Sequence, residues 1–128
     1  PGGAVAQSRY LASAIAGTSH LDDTFVKVTF RNGNTQDWKF RGGPNDQDGL
    51  GIAKDLGLDR LYVIGSYGTA SASELVINSL RGIDFPVYIY GGRTEGKNVG
   101  MTTTRSPSVW RMPRDSETIR TASLLMWW

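Results

Sequence analysis

The spacing of apolar residues predicts a helix and a β-hairpin in the first third of the chain. Apolar side chains recur at near-helical intervals over residues 4–15, and Gly17 follows where such a helix would end. Residues 24–31 instead alternate apolar and polar side chains. An Asn-Gly pair then precedes residues 35–40, which are again strand-like, and this arrangement is typical of a hairpin.

The second half of the chain continues the alternation with shorter elements. Residues 61–64 form a short apolar run typical of a buried strand, and residues 71–80 carry apolar side chains on one helical face. Residues 87–90 and the β-branched run 99–104 are predicted to be strands. Residues 41–49 are rich in glycine and aspartate and are predicted to be a loop. This alternation of strand and helix indicates an α/β layered fold.

Composition narrows the class of protein without identifying its function. The 128 residues suffice for one domain or part of one, and 39% hydrophobic with 20% charged residues is ordinary for a globular protein. The net charge of +2 and the scattered Lys and Arg residues predict no nucleic-acid partner. The absence of cysteine excludes disulfides and thiol catalysis. No apolar run approaches the roughly 18 residues of a membrane span.

Two short motifs point to a serine nucleophile paired with a lysine base. Residues 68–74 read G-T-A-S-A-S-E and place Ser71 at the entrance of the predicted helix. The unpaired N–H groups and the positive dipole end of a helix start would stabilise an oxyanion formed there. Lys97 follows within the run R-T-E-G-K, on a glycine turn. A Ser-Lys pair is a known variant of the serine-base arrangement.

The two motifs together resemble those of the carboxyl-terminal processing, or tail-specific, protease family. Members of that family carry a T/S-A-S-A-S-E run followed by a T-F/Y-G-K run, and the resemblance covers residues 1–100. It implies a partial crotonase-like layered core, with residues 1–104 as the carboxyl-terminal part of a protease catalytic domain. Residues 105–128 lie outside the resemblance and are interpreted as an atypical tail of uncertain origin, for which a foreign or frame-altered end is one alternative.

The resemblance assigns roles to five residues. Ser71 would be the nucleophile and Lys97 its general base. Gly2 and Gly3 resemble the end of a D-L-R-x-N-P-G-G stretch that helps to form the oxyanion hole, and only its last three residues are present here. The backbone N–H of Ala72 would complete that hole. Peptide-bond hydrolysis through an acyl-enzyme would then need neither a cofactor nor a metal.

Neighbouring positions are expected to support this pair. Glu74 is predicted to lie on the helix behind the nucleophile, as support or as a helix-start charge, and Ser73 is the rival nucleophile. The chain also departs from the family pattern. Gly92 replaces a usual Glu, Glu95 replaces Phe or Tyr, and Met101 replaces a glutamine that helps to orient the lysine amine in many members.

The family resemblance further implies substrates, location and alternatives. Substrates would be proteins or peptides, cleaved near their carboxyl termini by an exported enzyme of the periplasm or cell envelope; the sequence does not fix the oligomeric state. A non-catalytic peptide-binding relative is one alternative. A crotonase-like enzyme acting on acyl-CoA is the other, because it uses a similar oxyanion hole without a Ser-Lys pair.

Three weaker motifs compete with this interpretation. Residues 91–97 satisfy G-x-x-x-x-G-K, but Asn98 leaves no hydroxyl for magnesium, and a strand rather than a helix is predicted to follow. His20, with one of the aspartates shortly after it, offers a candidate Ser-His-Asp triad. Residues 45–49 resemble the start of a calcium loop but lack its closing glutamate, so an acidic turn is the preferred interpretation.

The last part of the chain is different in character. Pro107 and Pro113 interrupt it, and Asp115 or Ser116 could cap a short helix. It ends in the apolar run L-L-M-W-W. Such an end is expected either to be buried or to form an adhesive surface.

Overall fold

The computed structural model describes residues 2–40, 54–105 and 119–127, and the fold is given for these ranges. Two helices and six strands lie within them. In chain order they are α1 (Val5–Ala16), β1 (Thr24–Thr29), β2 (Thr35–Lys39), β3 (Leu61–Gly65), α2 (Ala72–Gly82), β4 (Val87–Gly91), β5 (Val99–Arg105) and β6 (Ile119–Trp127). A single 3₁₀ turn at Thr18–His20 connects α1 to β1.

The strands form two separate sheets. Four of them make an antiparallel sheet in the order β2-β1-β6-β5, whereas β3 and β4 pair in parallel. The parallel pair is connected through α2, as a strand-helix-strand unit requires. Helix α2 also packs against α1 and β1, so it joins the two sheets.

Local sequence explains where the first elements end. Gly17 has a φ of 84° and donates its N–H to Ser13 O at 3.0 Å, which closes α1. In the hairpin, Gly33 has the same φ of 84°, and Phe30 N–H donates to Asn34 O at 2.8 Å. Both glycines therefore occupy positions that residues with a side chain rarely adopt.

The core lies where α1, α2 and β1 meet. The rings of Phe25 and Phe40 contact edge to face at 5.6 Å, and both side chains are buried. Leu75 and Leu80 of α2 are buried in the same cluster, together with Ile15 of α1. The inner faces of α1 and α2 are therefore fixed against β1.

The α/β layered fold with one β-hairpin that the apolar pattern predicts is confirmed. Strand β6 pairs with β5 and β1, so residues 119–127 belong to the same sheet as the hairpin. The division of the chain after residue 104 stays a prediction. The loop at 41–49, with its acidic turn at 45–49, and the helix expected near Asp115 or Ser116 lie outside the described residues.

Candidate active site

Ser71 lies in the turn between β3 and α2, in a backbone conformation that residues with a side chain seldom adopt. Its φ is 54° and its ψ is −114°, a region populated mainly by glycine. Holding a serine there costs on the order of 1–3 kcal/mol, and such strain clusters at functional sites. It also explains why α2 begins at Ala72 and not at residue 71 as predicted, since Ser71 is not helical.

The two glycines near the amino terminus lie directly against this turn. A methyl group on Gly2 would stand 3.4 Å from Ser71 Cβ and 3.9 Å from Ser71 Oγ, and one on Gly3 would stand 3.7 Å from Ala72 Cβ. Ala72 is the first residue of α2, where backbone N–H groups lack partners within the helix. The structure therefore brings Gly2, Gly3 and Ala72 to the serine.

Lys97 lies in the turn that follows β4. Two glycines shape this turn, Gly91 with a φ of 106° and Gly96 with a φ of 80°. A side chain at Gly91 would place its Cβ 2.3 Å from Gly65 O, so β3 and β4 approach too closely there for any residue but glycine. The Lys97 side chain is half-buried.

Backbone hydrogen bonds hold the Lys97 turn against the Ser71 turn. Gly92 N–H donates to Gly65 O at 2.9 Å, at the end of β3. Glu95 N–H donates to Thr69 O at 3.0 Å, two residues before Ser71. These bonds do not depend on the identity of the side chains, and they bring the two predicted motifs together.

Glu74 connects the two turns through its carboxylate. Its Oε2 accepts hydrogen bonds from Ser71 N–H at 2.9 Å and from Lys97 N–H at 2.9 Å, and its Oε1 accepts one from Gly96 N–H at 2.5 Å. A single oxygen atom therefore contacts the backbone of both predicted catalytic residues. Since the Glu74 side chain is buried, this connection is shielded from water.

The charge of Glu74 is maintained by the same contacts. Burial alone would raise the pKa of its carboxyl group, but the Thr94 hydroxyl and the N–H groups of Gly96, Ser71 and Lys97 outweigh burial. The pKa of Glu74 therefore lies below its ordinary value. A buried anion here also lies in the first turn of α2, where the helix dipole stabilises negative charge.

The side chains of the predicted pair are not joined by a hydrogen bond in the part of the chain that the structure describes. Both residues belong to the described part of the chain, and no hydrogen bond joins Lys97 Nζ to Ser71 Oγ there. The backbone nitrogens of the two residues are nevertheless close together, because each lies 2.9 Å from the same atom, Glu74 Oε2. Catalytic hydrogen bonds are often long before substrate binds, so the missing bond is compatible with the predicted pair.

Ser73 faces a different environment from Ser71. It lines a groove between α1, α2 and β3, of which Ser71 is not a lining residue. That the two hydroxyls point in different directions, as their spacing on the chain predicts, stays a prediction.

The competing motifs have other roles in the structure. Residues 91–97 lead into β5 and not into a helix, and the N–H groups of Gly96 and Lys97 already bind the Glu74 carboxylate. A phosphate-binding loop instead leads into a helix, and its backbone N–H groups are free to bind phosphate. His20 Nδ1 lies 2.7 Å from Asp23 Oδ2, but this exposed pair has no contact with Ser71 in the described ranges.

The described residues contain neither a cluster of metal ligands nor a membrane-spanning helix. No group of three or more His, Cys, Asp or Glu side chains there could hold a metal ion. No helix in the same ranges is long and apolar enough to cross a membrane.

Glu74 has more contacts in the structure than the sequence predicts. Sequence reasoning treated it as support behind the nucleophile, whereas the structure gives its carboxylate contacts on both turns. The S-x-x-E spacing of a capping box was the available signal, but it predicts only the bond to Ser71 N–H. The bonds to Gly96 and Lys97 depend on tertiary structure.

Comparisons with known proteins agree with the fold. The chain is similar to the crystal structure of the Putative S41 protease from Bacteroides fragilis, with 23% identity, a TM-score of 0.64, and coverage of 97% of this chain and 28% of that one. It is also similar to a lipoprotein from Streptococcus agalactiae, with 19% identity, a TM-score of 0.61, and coverage of 98% of this chain and 39% of that one. No protein-family model and no curated protein matches the sequence.

The chain thus has an S41 peptidase-like fold, and it spans about a third of the length of these two structures.

Proposed function

We propose that this chain carries the nucleophile and the base of a serine peptidase. Ser71 is the nucleophile and Lys97 the general base, as in the tail-specific proteases that the two motifs resemble. One observation carries the proposal: a single oxygen of the buried Glu74 carboxylate accepts the backbone N–H groups of both residues. An S41 peptidase-like fold is consistent with this assignment.

The reaction would begin with transfer of the Ser71 hydroxyl proton to the neutral Lys97 amine as the serine oxygen attacks the peptide carbonyl. The resulting oxyanion would lie between the N–H groups of Gly3 and Ala72, with Gly2 beside it. Preorganised donors of this kind typically contribute on the order of 100-fold to 1000-fold in rate each. Collapse of the tetrahedral intermediate would pass the proton to the leaving amine and leave an acyl-serine, which water then hydrolyses.

Lys97 must be neutral to accept that proton. A free lysine has a pKa of about 10.4, so its deprotonation at pH 7 costs on the order of 4–5 kcal/mol. Exclusion of water by a bound substrate is the general way in which such a cost is reduced.

The substrates proposed are polypeptides cleaved near their carboxyl termini, and the location proposed is the cell envelope. The family resemblance supports both. The lipoprotein among the structural neighbours is consistent with export. These assignments concern the whole protein, of which the chain would form one part.

A fluorophosphonate probe tests the chemistry, because it reacts with an activated serine whatever the substrate sequence. The protein as its gene encodes it is treated with the probe, and mass spectrometry of peptides locates the adduct. We expect the adduct on Ser71, none in Ser71→Ala, and ordinary labelling in Ser73→Ala. Labelling of Lys97→Ala should be at least about 100-fold slower, because general-base assistance contributes that much.

Two outcomes would reject the proposal. Labelling on Ser73 would show that Ser73, and not Ser71, is the nucleophile. An unchanged labelling rate in Lys97→Ala would show that Lys97 is not the general base. Lys97→Arg is the matched control for charge, and it should fail as Lys97→Ala does, because arginine cannot release its proton near neutral pH.

A non-catalytic peptide-binding protein is the second candidate. It is favoured by the absence of a hydrogen bond between Lys97 Nζ and Ser71 Oγ in the described ranges, and by Met101 in place of the orienting glutamine. No probe labelling on any serine, combined with measurable peptide binding, would favour this candidate.

A further inference from the structure

The Glu74 carboxylate has a hydrogen-bond partner besides the three backbone N–H groups of the two turns. That partner is Thr94, whose hydroxyl donates a hydrogen bond to the carboxylate. An ionised carboxylate has about four positions at which its two oxygens accept hydrogen bonds. The N–H groups of Ser71, Gly96 and Lys97 occupy three of them, and the Thr94 hydroxyl takes the fourth.

Each of these contacts matters because the carboxylate is buried. Glu74 is only 3% exposed, so water can replace a lost partner only by entering the packed turns. A buried charged group that loses a hydrogen bond keeps its desolvation cost without compensation. Of the four partners, Thr94 alone acts through its side chain. A substitution can therefore remove this one contact and leave the backbone contacts in place.

The surroundings of Thr94 fix the direction of its hydroxyl. A Cβ added to Gly65, at the end of β3, would stand 3.7 Å from Thr94 Cγ2, so the Thr94 methyl group lies over Gly65. The next residue, Glu95, donates its N–H to Thr69 O at 3.0 Å and holds the backbone. Because threonine is branched at Cβ and stiff about χ1, the packing of its methyl group also determines where its hydroxyl points. The hydroxyl is thus held towards Glu74 by contacts on the other side of the same side chain.

We propose that Thr94 is a positioning residue for the Ser71–Lys97 pair. Its hydroxyl holds the Glu74 carboxylate in the orientation in which Oε2 reaches the backbone of both residues. Thr94 acts through Glu74 and not on the reacting groups. Its effect on catalysis rests on the proposed function, whereas its effect on the relation of the two turns does not.

Hydrogen exchange in the encoded protein tests the effect on the turns. Thr94→Val keeps the shape and the methyl group but removes the hydroxyl, and Thr94→Ser keeps the hydroxyl but removes the methyl group. Mass spectrometry follows the peptide that contains the Gly96 and Lys97 N–H groups. In Thr94→Val these groups should exchange at least about tenfold faster, because the carboxylate that binds them is no longer held. Thr94→Ser should stay within about twofold of the unmodified protein, because it retains the donor.

Thr29→Val is the matched control. Thr29 is half-buried, as Thr94 is, and its hydroxyl lies 3.3 Å from the Thr35 hydroxyl in the hairpin. The control makes the same chemical change away from the Glu74 contacts, so exchange at Gly96 and Lys97 should stay unaltered. The peptide that covers β1 reports on overall folding and should keep its protection in Thr94→Val.

The fluorophosphonate probe tests the effect on catalysis. Labelling of Ser71 should slow about fivefold to tenfold in Thr94→Val, which is the effect of losing one hydrogen bond to a charged group, and recover in Thr94→Ser. Absence of labelling in the unmodified protein would reject the proposed peptidase and leave the exchange result standing. Faster exchange in Thr94→Val with an unchanged labelling rate would overturn the positioning role alone.

Three exchange results would also overturn the proposal. The first is unchanged exchange at Gly96 and Lys97 in Thr94→Val. The second is an equal effect in Thr94→Val and Thr94→Ser, which would show that the hydroxyl is not what matters. The third is a loss of protection in β1 as well, which would assign Thr94 to overall stability and not to the relation of the two turns.

Discussion

The β1–β2 hairpin and the pair of turns after β3 and β4 are built on different physical principles. The hairpin is determined by neighbouring residues: alternating side chains, a glycine turn and local backbone bonds. The two turns are joined by contacts between residues far apart in sequence, such as Glu74 to Lys97. They also hold Ser71 in a conformation that its own side chain disfavours. Where local preference and structure disagree, function is the expected reason.

The largest effect that separates the two regions should come from one methyl group. Gly91→Ala would place a Cβ 2.3 Å from Gly65 O, and it should lower the free energy of unfolding by about 3 kcal/mol or more. Gly33→Ala is the matched control in the hairpin. Gly33 also has a positive φ, but nothing lies within 4 Å of the added atom, so about 1–2 kcal/mol is expected. Urea denaturation of both variants measures the difference.

An equal loss of unfolding free energy in Gly91→Ala and Gly33→Ala would contradict the close approach of β3 and β4 beneath the site.

A smaller effect should come from replacing the connecting carboxylate. Glu74→Gln keeps the size of the side chain but turns one acceptor into a donor that faces backbone N–H groups, so we expect a loss of about 2 kcal/mol. Probe labelling of Ser71 should slow at least tenfold. Glu95→Gln makes the same change at an exposed position of the same turn, and it should alter neither quantity.

Unchanged labelling in Glu74→Gln would show that the two turns keep their relation without this carboxylate.

The smallest effect expected is a pH dependence. Since the pKa of Glu74 in the folded protein lies below its unfolded value, its contribution to stability is complete above the unfolded pKa of about 4.3. It is lost as the pH falls through the lower, folded value. The stability difference between the unmodified protein and Glu74→Gln should therefore shrink as the pH falls below about 4. Thermal unfolding of both proteins from pH 7 to pH 3 measures it.

A constant difference over that range would contradict the depressed pKa. Asp55, whose pKa is also lowered, by the N–H groups of Gly57 and Thr18, is present in both proteins, so its titration cancels.

The same contrast explains what could be predicted from sequence. The two helices, the hairpin and strands β3, β4 and β5 are visible because apolar spacing and turn residues are local signals, whereas strand β6 was not predicted. The approach of Gly2 to Ser71 and the three bonds of Glu74 were not predicted in detail, because they depend on how distant segments pack. The positive φ of Ser71 has no signal in its residue type, since serine is common at helix starts. Roles for Ser71 and Lys97 came from motif resemblance and stay predictions.

The most direct test of the account is a double-mutant cycle on Ser71 and Lys97 in the encoded protein. The rate of peptide cleavage is measured for Ser71→Ala, Lys97→Ala and the double variant. If the residues act as one unit, each single change should lower the rate by at least about 1000-fold, and the double change should add little, because members of a catalytic unit are not additive. Full activity in Lys97→Ala, or losses that simply multiply in the double variant, would contradict the central claim that these two residues form one catalytic unit.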